Sequence, residues 1–176
     1  MTSLVGVDPL QSRKKGINGY FGVGDFYCEL GIQIVDICIS TRVINGGLID
    51  IQDLRSRLVS IRKSENISTD DIERSISQLA PLGGDYKVMT IKDKKVVKSI
   101  PNEFNKDHSD LLALLDPNFN PPATFNSLKS FTKWSDCRLQ HTLDSLSRDG
   151  VLWVDMQAPE PVYYATLFFL KSLSSN

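Results

Sequence analysis

A phrase that occurs twice constrains the fold of this chain more than any other feature of its sequence. The stretch ISQLAPLGGDYKVMTI covers residues 76–91, and LDSLSRDGVLWVDMQ covers residues 143–157. Each copy reads as the end of an amphipathic helix, a glycine that ends the helix, and a strand. The doubled phrase therefore indicates two halves of similar build.

The apolar stripes of the two helices have the same spacing of four, three and four residues. They consist of Ile72, Ile76, Leu79 and Gly83 in the first copy, and of Leu139, Leu143, Leu146 and Gly150 in the second. Upstream, Asp50 and Thr124 stand at equivalent positions as predicted helix caps. Each half thus predicts three helices followed by a two-stranded hairpin, the winged-helix arrangement. The predicted fold class is α+β, predominantly helical, with two tandem winged-helix domains.

The predicted division of the chain is an irregular segment at 1–24, a first winged helix at 25–101 and a second at 102–170. A length of 176 residues is enough for two small domains. The boundary falls where PNEFNKDH combines a proline, turn formers and charges. Two glycines, Gly83 and Gly84, are predicted to end the third helix of the first half.

The first helix is unusually apolar. Asp25 is its predicted N-cap and Phe26 its first residue. Its polar positions form one narrow stripe, spaced four, three and four residues apart: Glu29, Gln33, Asp36 and Ser40. Such a helix is expected to be buried on most sides, by the second half or by another chain. Tyr27 and Ile34 are the residues predicted to make this interdomain or partner packing.

The bulk composition excludes several classes of protein. Twenty basic residues against twenty-one acidic ones give a formal charge of −1, so no overall field attracts nucleic acid or anionic lipid. No apolar run approaches the roughly 20 residues of a membrane span, and the start MTSLVGVDPLQSRKKG has no signal-peptide hydrophobic region. Three cysteines without metal-type spacing are expected to be reduced thiols, two of them in a core helix.

The charges of the repeated elements bear on nucleic-acid binding. The third helix of the first half carries three acidic residues against Arg74, a net charge of −2. The third helix of the second half, 133–150, has no net charge. Neither is equipped to neutralise phosphates. The first hairpin, 86–99, carries five lysines against Asp93, a net charge of +4. Those lysines either protect a solvated edge from strand pairing or contact an acidic partner or an anionic lipid surface.

Catalysis finds little support in the sequence. Cys137 precedes His141 by four residues, and Asp144 follows one turn later, a pattern that could suggest a nucleophile and a base. Nothing supplies an oxyanion hole, and no phosphate loop, dinucleotide fingerprint or metal cluster is present. We therefore predict no enzyme, no cofactor and no catalytic or metal-binding residues.

Several stretches in order carry a family resemblance: VGVDPL, GVGDFYCELGIQIVDIC followed by NGGLI, VKSIPNEFNKDH, and LDSLSRDGVLWVDMQAP. Together they resemble the ESCRT-II subunit family called Snf-eight or Vps-twenty-two (EAP-thirty-like), from about Val5 to Tyr164. The resemblance implies two tandem winged helices that serve protein assembly. The alternative from the fold pattern alone is a winged-helix nucleic-acid-binding or transcription-associated protein.

The resemblance also implies partners and a place of action. In this family the subunit joins a sister subunit of the Vps-thirty-six type and two copies of a small subunit of the Vps-twenty-five type in a Y-shaped complex. That complex sorts ubiquitinated membrane cargo into vesicles that bud inside endosomes, forming multivesicular bodies. The implied localisation is cytoplasmic with peripheral, indirect attachment to endosomal membranes, and no nucleic acid is expected.

The resemblance places a partner contact on the last hairpin. The second domain of the family offers a groove to a proline-rich N-terminal segment of the small subunit. The acidic residue of the family's strand motif corresponds to Asp155, and Trp153 and Gln157 match the same motif. From the residues alone, Trp153 is equally interpretable as a core tryptophan.

Two departures from the family pattern accompany the match. Family members usually carry a long helical region before the equivalent of VGVDPL, whereas this sequence begins at Met1, just before it. A truncated chain is the expected reason. The last strand reads YYATLFF where the family favours a tryptophan after the tyrosine.

Overall fold

The computed structural model describes residues 22–63, 66–80, 85–116 and 122–168. In the first half these form α1 (Gly22–Asn45), β1 (Leu48–Asp50), α2 (Ile51–Arg62), α3 (Thr69–Leu79), β2 (Lys87–Ile91) and β3 (Lys94–Lys98). The second half contains α4 (Lys106–Leu114), α5 (Phe125–Thr132), α6 (Asp136–Arg148), β4 (Leu152–Asp155) and β5 (Val162–Ala165). The predicted α+β, mostly helical fold class is confirmed.

The helix starts follow from local capping chemistry. The predicted caps Asp50, Ser68, Thr124 and Ser135 are all found, each accepting a hydrogen bond from a backbone N–H of the first turn. Each side-chain oxygen satisfies an N–H that the helix itself leaves without a partner. Asn105 caps α4 in the same way.

The start of α1 differs from the prediction. The helix begins at Gly22 rather than at Phe26, so Asp25 lies inside it and is not its N-cap. Residues 22–24, assigned from the sequence to an irregular segment, are therefore helical. The inner side of α1 is strongly buried, with Phe26 and Leu30 in the core, and packing of this kind overrides the weak helix propensity of glycine. The predicted helix stop at Gly83 and Gly84 lies outside the described residues.

A strand that the sequence did not reveal completes the first half. β1 pairs antiparallel with β3, which pairs antiparallel with β2, in the order β1-β3-β2. The hairpin of β2 and β3 was predicted, with Lys92 and Asp93 in its turn. β1 has three residues and runs directly into the cap of α2, so it is too short to give an alternating pattern.

The second half repeats this topology. β4 and β5 form the predicted hairpin, and Thr124 makes an isolated antiparallel bridge with Val162 on the other side of β5. The backbone N–H of Tyr163 donates to the Ala123 carbonyl at 2.9 Å. Thr124 caps α5 as Asp50 caps α2, and both lie beside the second strand of their hairpin. The repeat therefore includes this third strand as well.

The sheet of the first half buries both of its faces. Ile49 and Val97 point into a core formed with α1, α2 and α3. Their neighbours Leu48 and Val96 point the other way, into a core that also contains Leu111, Leu112 and Leu139 of the second half. Because side chains alternate along a strand, one sheet serves two cores. The division at residues 101 and 102 stays a prediction, since the second core draws on both sides of it.

Two glycine turns meet where the halves join. Gly46 follows α1 and Gly150 follows α6, and both have positive φ, +62° and +73°. A Cβ placed on Gly46 would lie 2.3 Å from the carbonyl oxygen of Gly150. Nearby, the backbone N–H of Ser99 donates to the Gly47 carbonyl at 2.9 Å, and the Asn102 amide donates to the Asp149 carboxylate.

We expect Gly46→Ala to destabilise the chain more than Gly150→Ala. Both substitutions place an alanine in the left-handed region, which costs about 1–2 kcal/mol. A Cβ at Gly150 meets nothing within 4 Å, whereas one at Gly46 collides with backbone and should cost about 1–3 kcal/mol more. Urea unfolding of both variants measures the difference. Equal losses would contradict the close contact between the two turns.

We also expect stability to fall as the pH is lowered toward 5.5, through His108. Its Nδ1 accepts the Asn105 backbone N–H at 3.2 Å, and burial lowers its pKa, with opposing contributions from Asp149 and Asp107. The unfolded chain therefore takes up a proton near the ordinary histidine pKa, about 6.5, that the folded chain resists. The stabilisation is complete above that value and declines as pH falls below it.

The free energy of unfolding in urea at pH 7.5 and 5.5 checks this expectation. His108→Gln should reduce the pH-dependent loss, since a glutamine at this position can still accept the Asn105 N–H but does not titrate. His141→Gln, at an exposed site, is the matched control and should retain most of the loss, because His141 makes the smallest contribution to the lowered pKa of His108. An unchanged pH dependence in His108→Gln would show that other groups cause it.

Candidate functional site

The outward side of the second hairpin carries an exposed aromatic pair. Trp153 on β4 lies directly opposite Tyr164 on β5. Their exposed fractions are 40% and 42%, while Leu152 and Ala165, on the inward side, are buried in the core. Trp153 is therefore not a core tryptophan, and its contact with a partner stays a prediction.

Asp155 lies on the same side of β4 as Trp153, two residues further along the strand. It is half-buried, and its Oδ1 accepts the backbone N–H of Gln157 at 2.8 Å. This bond fixes the carboxylate at the end of the strand and leaves Oδ2 available for a further donor. We call Trp153, Asp155 and Tyr164 the aromatic face.

The three residues that the sequence singled out are thus brought close together, in different ways. Trp153 and Asp155 share the aromatic face, whereas Gln157 is exposed just beyond the strand and acts on Asp155 through its backbone N–H. Sequence reasoning missed Tyr164. The signal that could have found it is the pairing register of the predicted hairpin, because a residue of the returning strand must lie opposite Trp153.

The two candidates on α1 both contact the core of their own half. Ile34 is fully buried in the first-half core. Tyr27 packs against the same core, and its hydroxyl donates to the Asp71 carboxylate of α3 at 3.2 Å. Ile34 is therefore covered by its own half, whereas Tyr27 is half-buried and its packing against another chain stays a prediction. The helices α2 and α3 and the sheet surround this side of α1.

Three lysines of the basic hairpin are engaged inside the molecule. The Lys95 ammonium lies 2.5 Å from the Glu73 carboxylate of α3. Lys94 lies 3.4 Å from Asp116 in the second half. Lys98 is buried, donates to the carbonyls of Ile100 at 2.8 Å and Asn102 at 2.6 Å, and its pKa is lowered chiefly by burial. Much of the predicted basic charge therefore joins elements of the fold.

The spacing of Cys137, His141 and Asp144, which gave catalysis little support, places all three side chains at the surface of α6. Cys137 and His141 are both exposed, and the Asp144 carboxylate accepts from Gln140 at 2.8 Å. Burial raises the pKa of Cys38 to about 11, so that thiol is unreactive. Cys28 is exposed, although the sequence suggested a core position. Within the described ranges, no cluster of three or more metal-ligating side chains occurs.

Two basic residues of the third helices are paired with carboxylates. On α3, Arg74 pairs with Asp70 at 2.9 Å. On α6, the Arg138 guanidinium binds both oxygens of Asp107, at 2.8 and 2.6 Å, and lies over the Trp134 ring. A helix that reads a groove needs cationic side chains available for phosphates.

Of the helices that the structure describes, none is long and apolar enough to cross a membrane.

Comparison with known proteins agrees with this arrangement. The sequence profile of the EAP30/Vps36 family matches residues 1–156. The chain belongs to the EAP30/Vps36 family. It is 40% identical over 167 residues to the vacuolar-sorting protein SNF8 of Dictyostelium discoideum, covering 93% of this chain and 68% of that protein. It is 35% identical to the human vacuolar-sorting protein SNF8, covering 93% of this chain and 64% of that protein.

The fold of this EAP30/Vps36 family member also matches a solved assembly. A crystal structure of the endosomal complex ESCRT-II (VPS22/VPS25/VPS36) superposes with a TM-score of 0.69 at 29% identity, covering 98% of this chain and 76% of that chain. The family resemblance expected from the sequence is confirmed. The chain spans about two thirds of the length of the curated relatives it matches.

The role of Lys98 in this family member can be tested directly. Lys98→Met keeps most of the apolar stem but removes the ammonium, so the carbonyls of Ile100 and Asn102 each lose a donor. We expect a loss of about 1–3 kcal/mol in the free energy of unfolding. Lys87→Met, on the exposed edge of the same hairpin, should change it by less than about 0.5 kcal/mol. Equal losses of stability in the two variants would show that Lys98 behaves as a solvated edge lysine.

Proposed function

We propose that this chain is a structural subunit of an endosomal ESCRT-II sorting complex, which delivers ubiquitinated membrane cargo to multivesicular bodies. The observation that carries the proposal is the match of 93% of the chain to vacuolar-sorting proteins, together with the superposition on ESCRT-II. The implied partners are a sister subunit of the VPS36 type and a small subunit of the VPS25 type. The chain would act in the cytoplasm, attached peripherally to endosomal membranes through the complex.

The aromatic face is the proposed contact for the small subunit. An exposed tryptophan opposite a tyrosine offers flat apolar surface of the kind that binds extended proline-rich segments. The half-buried Asp155 at its edge can accept a charge-assisted hydrogen bond from an arginine or lysine of that segment. Gln157 supports the contact by fixing the carboxylate through its backbone N–H.

The sister-subunit contact is proposed for the outer side of α1. Tyr27 and Ile34 lie on the inner side, where they contact the core of the first half. They would hold α1 against that core while its outer side contacts the sister subunit. The two winged helices, divided near residues 101 and 102, would present these two contacts at different places on one body. Neither contact requires chemistry, so the proposed role includes no enzymatic activity.

The alternative function, nucleic-acid binding, is not supported by the family comparisons or by the charges. The relatives are named as sorting proteins, and the basic residues of α3 and α6 discussed above are paired with carboxylates. A gel-shift titration distinguishes the two functions. Tight binding of a duplex that weakens steeply with added salt would favour the alternative.

Assembly itself is the direct test of the proposed function. The chain is mixed with a VPS25-type subunit, a VPS36-type subunit, or both, and the mass of the product is measured by light scattering. We expect defined complexes with each partner. A chain that remains alone in all mixtures would overturn the proposal.

Substitution of Asp155 tests the proposed contact. Asp155→Asn keeps an acceptor for the Gln157 N–H but removes the charge, so affinity for the small subunit should fall by about 1.5–3 kcal/mol. Asp155→Lys places like charges together and should cost about 2–5 kcal/mol if the pair is desolvated. Calorimetric titration measures both.

Asp93→Lys makes the same charge change on the turn of the first hairpin and serves as the control, with no expected loss of affinity. Thermal unfolding of each variant alone should be nearly unchanged. Wild-type affinity in Asp155→Lys would remove this residue from the contact. An unfolded Asp155→Lys chain would make it a structural residue.

A further inference from the structure

An Asn–Gly pair lies in the turn that follows α1. Asn45 is the last residue of α1, and Gly46 comes directly after it. In an unfolded chain this pair is prone to deamidation, because glycine offers little steric resistance to ring closure. The Gly46 nitrogen attacks Cγ of Asn45, and the side-chain amide nitrogen leaves as ammonia with the Gly46 proton. Water then opens the resulting succinimide ring to aspartate or isoaspartate.

The fold holds the reacting groups of this pair in hydrogen bonds. The Gly46 N–H donates to the Arg42 carbonyl at 2.9 Å. The Asn45 amide nitrogen donates to the Thr41 hydroxyl at 3.0 Å, and its carbonyl oxygen accepts the Gly47 N–H at 2.9 Å. Asn45 is only 5% exposed. Ring closure requires the Gly46 nitrogen to turn from the Arg42 carbonyl toward the Asn45 side chain, so these bonds must break first.

Neighbouring elements confine the same turn from outside. A Cβ placed on Gly46 would lie 2.3 Å from the Gly150 carbonyl oxygen, and one placed on Gly47 would lie 2.4 Å from a methyl group of Ile100. The Gly47 carbonyl accepts both the backbone N–H and the hydroxyl of Ser99, at 2.9 and 3.1 Å. The turn therefore cannot rearrange while the contact between Gly46 and Gly150 is in place.

We infer that Asn45 is a modification site that the fold protects: it deamidates only when this turn opens, and the product then weakens the contact between Gly46 and Gly150. The product carboxylate has no N–H for the Thr41 hydroxyl and places a charge at a buried position. Arg42, three residues earlier, already donates to a backbone carbonyl. Isoaspartate also adds a methylene to the backbone where a Cβ has no room. Deamidation of this kind is a property of the chain alone and does not depend on the proposed function.

Mass spectrometry of tryptic peptides from the whole chain follows the reaction, with the chain folded in buffer or unfolded in urea at the same pH. Asn18–Gly19 is the other Asn–Gly pair of the sequence and gives the intrinsic rate in urea. We expect Asn45 and Asn18 to react at similar rates in urea. In the folded chain Asn45 should react at least about tenfold more slowly than in urea, the factor that an opening cost of about 1.4 kcal/mol gives.

A substitution in α1 assigns the protection to the hydrogen bonds of the turn. Thr41→Val removes the acceptor of the Asn45 amide and should raise the deamidation rate in the folded chain about fivefold, as the loss of one hydrogen bond gives. Thr142→Val on α6 is the matched control and should keep the wild-type rate. Both threonines are buried, and each donates to the carbonyl four residues earlier, at 2.7 and 2.8 Å. Circular dichroism verifies that both variants are folded.

A second substitution tests the effect of the product. Asn45→Asp carries the aspartate form and should lower the urea midpoint of unfolding, because the charge is buried and the bond to Thr41 is lost. Asn66→Asp makes the same change of charge at an exposed position and should leave the midpoint nearly unchanged.

Three results would overturn the inference. Equal deamidation rates of Asn45 in the folded chain and in urea would show that the fold does not protect it. A wild-type rate in folded Thr41→Val would show that the bond to the Asn45 amide does not hold the turn closed. A wild-type urea midpoint in Asn45→Asp would show that the product does not weaken the contact between the two turns.

Discussion

The structure depends on one sheet that is buried on both faces. β1, β3 and β2 present Ile49 and Val97 to the helices of their own half and Leu48 and Val96 to the second half. Alternation along each strand makes this possible, since neighbouring residues point in opposite directions. A small domain on its own buries a modest share of its surface. Because the two halves share this sheet, each half obtains part of its core from the other.

The shared sheet also explains why the two similar hairpins have different surroundings. The first hairpin is covered by its own helices on one face and by α4 and the second core on the other. Its lysines Lys94, Lys95 and Lys98 join neighbouring elements. Among the described residues, the outward side of the second hairpin is covered less, and Trp153 and Tyr164 are exposed.

Prediction succeeded where the signal is local. The caps at Asp50, Ser68, Thr124 and Ser135 and both hairpins follow from short-range chemistry, and they were found as expected. Prediction failed where the structure depends on which elements pack against each other. β1 is too brief to show a pattern, α1 begins a turn before its predicted cap, and the outward side of α1 is set by which elements pack against the helix.

The sequence by itself determined the two-fold repeat, the starts of α2, α3, α5 and α6, the fold class and the family, because spacing, capping and composition act within a few residues of the chain. Only the tertiary structure decided that Trp153 is exposed, that Ile34 is enclosed by its own half, and that Gly46 touches Gly150. Those properties depend on contacts between residues far apart in the chain. An apolar residue reads the same in sequence whether it faces a core or a partner, and packing alone separates the two.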